Sequence, residues 1–167
     1  TGTGGTGAGV LRGTRSDDVL VDSGGATQIF GLEGNDVIAG GAGNDTIDGG
    51  LGVDLAFYDL ARSQYQLTLG SSPSVRALAG NEGTDSLVAL ERLSFADGEL
   101  AIDMGASQAG GRTALLLGAA LGVPSLADGE MVGAILSYFD EGATLGQAAQ
   151  LLVDAGLMAT LAGSPSN

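Results

Sequence analysis

Four aspartates, Asp18, Asp36, Asp45 and Asp54, stand among glycines at separations that are multiples of nine. A carboxylate recurring among residues without side chains offers one charged oxygen per turn of chain, beside unobstructed backbone carbonyls. Oxygen donors without nitrogen or sulfur select a hard cation with many ligands. Calcium fits, and magnesium fits less well because it demands strict octahedral geometry. The composition removes competing chemistries. The chain has no histidine and no cysteine, which excludes Ser-His-Asp triads, Cys-His dyads, thiolate chemistry and the usual zinc sites within it. With 20 Asp and Glu against 6 Lys and Arg, its formal net charge is -14. Such a polyanion suits cations and is a poor partner for nucleic acid or an anionic membrane.

The elements that must position these aspartates follow from a nine-residue period. Five nonads run without a gap: GTRSDDVLV (13–21), DSGGATQIF (22–30), GLEGNDVIA (31–39), GGAGNDTID (40–48) and GGLGVDLAF (49–57). The sixth position holds Asp18, Thr27, Asp36, Asp45 and Asp54, and the eighth holds Leu20, Ile29, Ile38, Ile47 and Ala56. Three residues such as Val37, Ile38 and Ala39 make a short strand whose middle side chain points inward. The six residues before it must turn tightly, and glycine at the fourth position tolerates the positive φ this needs. If every strand–turn unit reverses the chain, alternate turns stack. Asp18, Asp36 and Asp54 then line one edge, with one ion expected between loops 13–18 and 31–36 and another between 31–36 and 49–54. The other edge has Asp45, but loop 22–27 ends in Thr27 and the pattern fails after Phe57, so any third ion there is expected to be weaker. One inward aliphatic per nonad makes a thin core for so glycine-rich a chain, and rows of carboxylates repel. The roll is therefore expected to be loose or unfolded until a cation arrives.

Residues 40–48 fit the pattern G-G-x-G-x-D-x-U-x fully. Residues 31–39 depart only at Leu32, and 49–57 is weak at Ala56. The first nonad departs at Thr14, Arg15 and Ser16, where Arg15 works against an ion and Asp17 works with it. These repeats resemble the hemolysin-type nonapeptides of the RTX (repeats-in-toxin) family. The resemblance implies a right-handed parallel β-roll that binds Ca²⁺ through the sixth-position Asp18, Asp36, Asp45 and Asp54. It adds loop carbonyls as further ligands: Gly31, Glu33 and Gly34, Gly40, Ala42 and Gly43, and Gly49, Leu51 and Gly52. It also implies export of the unfolded chain by type I secretion machinery and a secreted, extracellular or cell-surface location.

After the roll, residues 64–69 and 74–79 alternate as half-buried strands do. Residues 80–85 (GNEGTD) resemble one more roll loop and read equally as an acidic turn or an ion site. LERLSFADGELAID reads as two short strands around a turn at 96–99. This segment is similar to the non-repetitive stretch that closes many RTX rolls, covering exposed edges and an apolar end. From Arg112 the pattern turns helical. RTALLLGAAL stops at Gly122 and Pro124. A second helix is capped by Asp128, presents Met131, Ile135, Leu136 and Phe139 on one face, and closes at Gly142. A third opens with a Thr144–Gln147 capping box and turns Leu145, Ala148, Leu152 and Ala155 inward. The helices resemble a module of unknown function, the DUF4214 type.

The expected fold is thus a β plus α chain: a right-handed parallel β-roll with a β-strand cap, then a small all-α helical bundle. The expected spans are a linker at 1–10, the roll at 11–60, the cap at 61–104, a three-helix bundle at 105–163 and a tail at 164–167. No apolar run approaches the ~20 residues of a membrane-spanning helix. There is no HExxH, no GxSxG with a partner His, and no carboxylate pair outside the repeats, so the chain is read as non-enzymatic. Two alternatives stand beside a calcium-folded secreted module. One is the accessory tail of a secreted enzyme, such as a serralysin-like protease or lipase, with its catalytic domain elsewhere. The other is a surface-layer or adhesin protein whose helical module binds a partner or polysaccharide.

Overall fold

The computed structural model describes residues 2–3, 9–103, 108–121 and 129–154. The chain forms two compact units, residues 1–102 and 103–167.

In the first unit, short strands follow one another at nearly every nonad. They are β1 (Gly2–Thr3), β2 (Gly9–Arg12), β3 (Val19–Val21), β4 (Thr27–Glu33), β5 (Val37–Ala39), β6 (Thr46–Leu51) and β7 (Leu55–Phe57). Then come β8 (Tyr65–Thr68), β9 (Ser74–Ala77), β10 (Thr84–Val88), β11 (Arg92–Phe95) and β12 (Gly98–Ala101). Two six-stranded sheets result, ordered β1-β3-β5-β7-β11-β12 and β2-β4-β6-β10-β9-β8. Up to β7, odd strands join one sheet and even strands the other, because each turn reverses the chain. Strands two apart pair in parallel, in a register that sets Leu20 beside Ile38 beside Ala56. The second sheet sets Leu11 beside Ile29 beside Ile47. All five eighth-position side chains are buried, and both sheets contribute to one core.

The roll begins earlier than its expected start. Gly2–Thr3 and Gly9–Val10, expected as linker, are strand, paired with β3 and β4. Strand pairing uses backbone groups alone, so a Gly/Thr-rich stretch can supply them. The pattern also does not stop at Phe57. β10 lies parallel to β6 with Leu87 beside Ile47, and β11 lies parallel to β7 with Leu93 beside Ala56. The expected cap thus begins by extending both parallel ladders. Only beyond them do antiparallel strands close the sheets, β9 and β8 on one and β12 on the other. Tyr58, Tyr65 and Phe95 pack with ring centroids 5.2 to 5.7 Å apart, supplying bulk to a core in which Ala56 is small.

The second unit holds α1 (Ala109–Leu121), α2 (Gly129–Asp140) and α3 (Leu145–Asp154). Leu116, Leu117, Ile135, Phe139, Ala148 and Leu152 form its core. The first helix starts before Arg112 because Asp103 caps it: Gly110 N–H donates to the Asp103 carboxylate at 3.1 Å. Gly142 closes α2 with a φ of 90°, the left-handed conformation in which glycine ends helices. The Thr144–Gln147 capping box is present, with Thr144 N–H donating to Gln147 Oε1 at 2.9 Å and Gln147 N–H to Thr144 Oγ1 at 3.3 Å. Leu145, expected inward, is exposed; by spacing it shares the face of Ala148 and Leu152, but as the first residue of α3 it stands at the end of the packed stripe, while Ala149 is half-buried against the core. Asp128, Ala155 and the 164–167 tail lie outside the described residues. Among those described, no helix is long and apolar enough to cross a membrane.

Candidate metal centre

The turns between strands stack into two edges. On the first edge, loops 13–18, 31–36 and 49–54 follow one another. Asp18 N–H donates to Asp36 Oδ1 at 2.8 Å, and Asp36 N–H donates to Asp54 Oδ1 at 2.8 Å. On the second edge, Thr27 N–H donates to Asp45 Oδ1 at 2.8 Å, and Asp45 N–H to Asp85 Oδ1 at 3.0 Å. Asp36, Asp45, Asp54 and Asp85 therefore each spend one oxygen on the amide of the coil before them. A second ladder runs the opposite way at the fifth position. Asn35 N–H donates to Asp17 Oδ1, Val53 N–H to Asn35 Oδ1 and Thr84 N–H to Asn44 Oδ1, each at 2.8 Å.

The other carboxylate oxygen is the informative one. Asp36, Asp45 and Asp54 are almost wholly buried, and their Oδ2 atoms have no hydrogen-bond partner. A buried, unpaired carboxylate oxygen is costly and rare. Three in equivalent positions of one repeat call for a common ligand. Burial drives all three carboxyls above the ordinary range; Asp54 is pushed up to about 6, with Asp36, Glu91 and Asp48 adding repulsion. Asp85, also buried and facing Asp45, is pushed up to about 7. The Tyr58 hydroxyl lies near Asp85 but makes no hydrogen bond of good geometry.

Glycines shape the space around these oxygens. A Cβ at Gly31 would strike the Asp36 carboxylate and the Gly49 carbonyl, and one at Gly40 would come 2.7 Å from Asp45 Oδ2. A Cβ at Gly52 would likewise strike the Gly34 carbonyl. First-position carbonyls thus face the preceding coil and fourth-position carbonyls the following one. The gap between loops 31–36 and 49–54 is lined by Gly34 O, Gly49 O and the carboxylates of Asp36 and Asp54. Among the described residues no three acidic side chains converge, so an ion here depends on carbonyls with one or two carboxylates. That donor set is calcium's.

Not every expected ligand is equally available. The third-position carbonyls of Ala42 and Leu51 accept the amides of Gly25 at 2.6 Å and Gly34 at 2.9 Å, which occupies one lone pair of each. Asp18 differs from its relatives, because its Oδ2 already accepts Thr14 N–H at 2.6 Å and Thr14 Oγ1 at 2.8 Å. Arg15 turns to Glu33, 3.4 Å away on the surface, which engages the side chain of another expected ligand residue. At Thr27 the hydroxyl donates to Asp22 Oδ2 at 2.6 Å, so a Thr–Asp pair replaces the sixth-position carboxylate. Glu33, Gly40 and Gly43 lie in the stacked loops as expected, Gly43 with its own amide held by Asn81 O at 3.0 Å.

Sequence reasoning left loop 80–85 open between an acidic turn and an ion site, and left two further features unassigned. Asp85 belongs to the stack, and its nonad GNEGTDSLV (80–88) was visible but out of phase with the others. The fifth-position ladder had its signal in Asn35 and Asn44. Glu91, whose Oε2 accepts Asp54 N–H at 2.9 Å, had none, because it sits in a shortened turn.

Residues 3–26 and 21–56 match the RTX calcium-binding nonapeptide repeat (4 copies). No curated protein matches the chain.

Proposed function

Residues 3–56 are RTX calcium-binding repeats, and from that premise we propose that this chain is a calcium-folded module of a secreted bacterial protein. The observation that carries this is the row of buried, unpartnered Oδ2 atoms on Asp36, Asp45 and Asp54. Calcium, when bound, supplies the positive charge and the missing partners. The chain's own residues do the rest. Glycines hold the carbonyls open, fifth- and sixth-position side chains fix the spacing of the coils, and the eighth-position aliphatics close the core.

On the first edge the gap between 31–36 and 49–54 is the strongest site. The gap between 13–18 and 31–36 is weaker, because Thr14 already satisfies Asp18. On the second edge, loop 40–45 lies between 22–27 and 80–85, so Asp45 faces a coil on each side. The expected affinity is that usual for extracellular calcium modules, about 10⁻⁴–10⁻³ M, and shared loops make binding cooperative. Such a chain stays open where calcium is scarce and folds where it is plentiful, which suits export through type I secretion machinery. The chain itself is non-enzymatic on this reading.

Far-UV circular dichroism of the full chain, with calcium, with chelator and with magnesium, tests the proposal. Strand signal that forms with calcium alone is the expected result. A native spectrum that persists unchanged in chelator overturns it.

A further inference from the structure

The parallel ladder of the first edge ends on the turn Ala89–Leu90–Glu91, and this turn imitates a nonad loop with most of the loop removed. Three observations establish the likeness. In the full loops, a Cβ on Gly31 would strike both Asp36 Oδ2 and the carbonyl of the next coil's first residue, Gly49. One coil on, a Cβ on Gly49 would strike the Ala89 carbonyl and lie 2.6 Å from Asp54 Oδ2. Ala89 O thus occupies the first-position place. Next, Asp54 N–H donates to Glu91 Oε2 at 2.9 Å, as Asp36 N–H does to Asp54 Oδ1. Glu91 thus takes the sixth-position place, its extra methylene spanning the shortened turn. Finally, Arg92 N–H donates to Asp54 O at 3.0 Å, as Leu55 N–H does to Asp36 O at 2.8 Å.

Ala89 adopts φ 45°, a left-handed conformation that costs a non-glycine residue and persists where the surroundings demand it. Asp54 is fully buried, and its Oδ2 faces this turn with no partner. Two carboxylates and an inward carbonyl therefore meet at the end of the roll, and two of the three residues, Ala89 and Glu91, lie outside the matched repeats.

We propose that the space between Asp54 and the turn Ala89–Glu91 binds a further divalent cation of calcium's class, held by the Asp54 and Glu91 carboxylates and the Ala89 carbonyl. The inference rests on the reading of the roll as a calcium module. An ion there ties the last parallel coil to the repeats.

The test is a count of bound calcium by equilibrium dialysis on the full chain, comparing wild type with Glu91→Gln, which keeps the oxygen that accepts Asp54 N–H. Exposed Glu99→Gln serves as the control for lost charge. Glu91→Gln is expected to bind one ion fewer, or to hold one at least tenfold more weakly, while Glu99→Gln matches wild type. The carboxyl carbon resonance of Glu91 in labelled wild-type protein gives a readout independent of the variant's folding, and it is expected to shift with calcium. An unchanged count in Glu91→Gln, or a Glu91 resonance that stays fixed while that of Asp36 moves, overturns this site alone. Failure of wild type to bind any calcium overturns the calcium reading of the whole roll and this site with it.

Discussion

Asp36 N–H donates to Asp54 Oδ1 across 2.8 Å and 18 residues of chain, while the Oδ2 of both carboxylates stays buried and unpaired. One side chain thus joins two coils and leaves an oxygen for something outside the protein. Asp36 also holds Asp18 N–H, so it borders the gaps on both its sides.

That position makes Asp36 the residue whose charge matters most. Asp36→Asn retains the hydrogen-bond acceptor and removes the charge. It is expected to weaken calcium at both first-edge gaps by about tenfold or more, since even groups one step removed from a metal carry about that much. Asp45→Asn is expected to affect the second edge alone. Calorimetric calcium titration of the two variants distinguishes these patterns.

The raised carboxyls predict how the metal-free fold responds to acid. A carboxyl whose folded pKa exceeds its unfolded value binds its proton more tightly in the fold. The associated stability is fully present below the unfolded value of about 4 and is lost as pH rises through the folded one. With Asp54 at about 6 and Asp85 at about 7, the window is roughly pH 4 to 7. Strand dichroism of the calcium-free chain, lacking at pH 8, is expected to rise as pH falls from 8 to 5, because protonation relieves the cost of burying these carboxylates. Asp54→Asn and Asp85→Asn should each flatten that slope. Calcium affinity should fall over the same range, because protons compete for the same oxygens.

Leu32 takes φ 89° at a repeat position where Gly41 and Gly50 take 74° and 106°. The neighbouring coils impose a glycine conformation on a leucine whose side chain is exposed and gains little by packing. Leu32→Gly is expected to stabilise the calcium-bound protein by about 1 kcal/mol, read from denaturant unfolding in saturating calcium. A destabilised variant would show that the outward leucine packs on something.

In the helical unit, Arg112 Nη1 and Nη2 donate to Ala143 O at 3.1 Å and Phe139 O at 3.3 Å, with the guanidinium 4.5 Å from the Phe139 ring centroid. A cation at the end of α2 suits its dipole. Arg112→Ala is expected to cost the helices about 2 kcal/mol, followed by the loss of helical dichroism in denaturant. Calcium titration of that variant should match wild type.

Much of this was legible in the residues. The eighth-position aliphatics named the core, the sixth-position aspartates named the two edges, and the Thr144–Gln147 spacing named a helix start. Each is a local rule carried by one residue type at one spacing. What escaped was set by space. Loop 80–85 showed as a possible roll loop, but its place in the stack stayed open, because Asp85 keeps the nonad and loses the phase where a hairpin intervenes. Glu91 keeps neither, and only the ladder shows that it stands in for an aspartate. The strands at Gly2–Thr3 and Gly9–Val10 escaped because glycine and threonine there carry no inward aliphatic alternation, and their pairing is made by backbone alone.

The second edge passes from Asp45 to Asp85 over 40 residues where its other rung spans 18. The chain leaves the ladder after Phe57, makes β8 and β9, and rejoins one step further along. Closing the longer excursion costs roughly 0.7 kcal/mol more than closing the shorter one, because loop entropy grows only with the logarithm of length. A ladder that tolerates one such detour at so small a penalty has a natural splice point. The exposed bend at residues 69–72, where Gly70 has nothing near it, is the place where a guest segment would ride on the module while the rungs on either side stay in step.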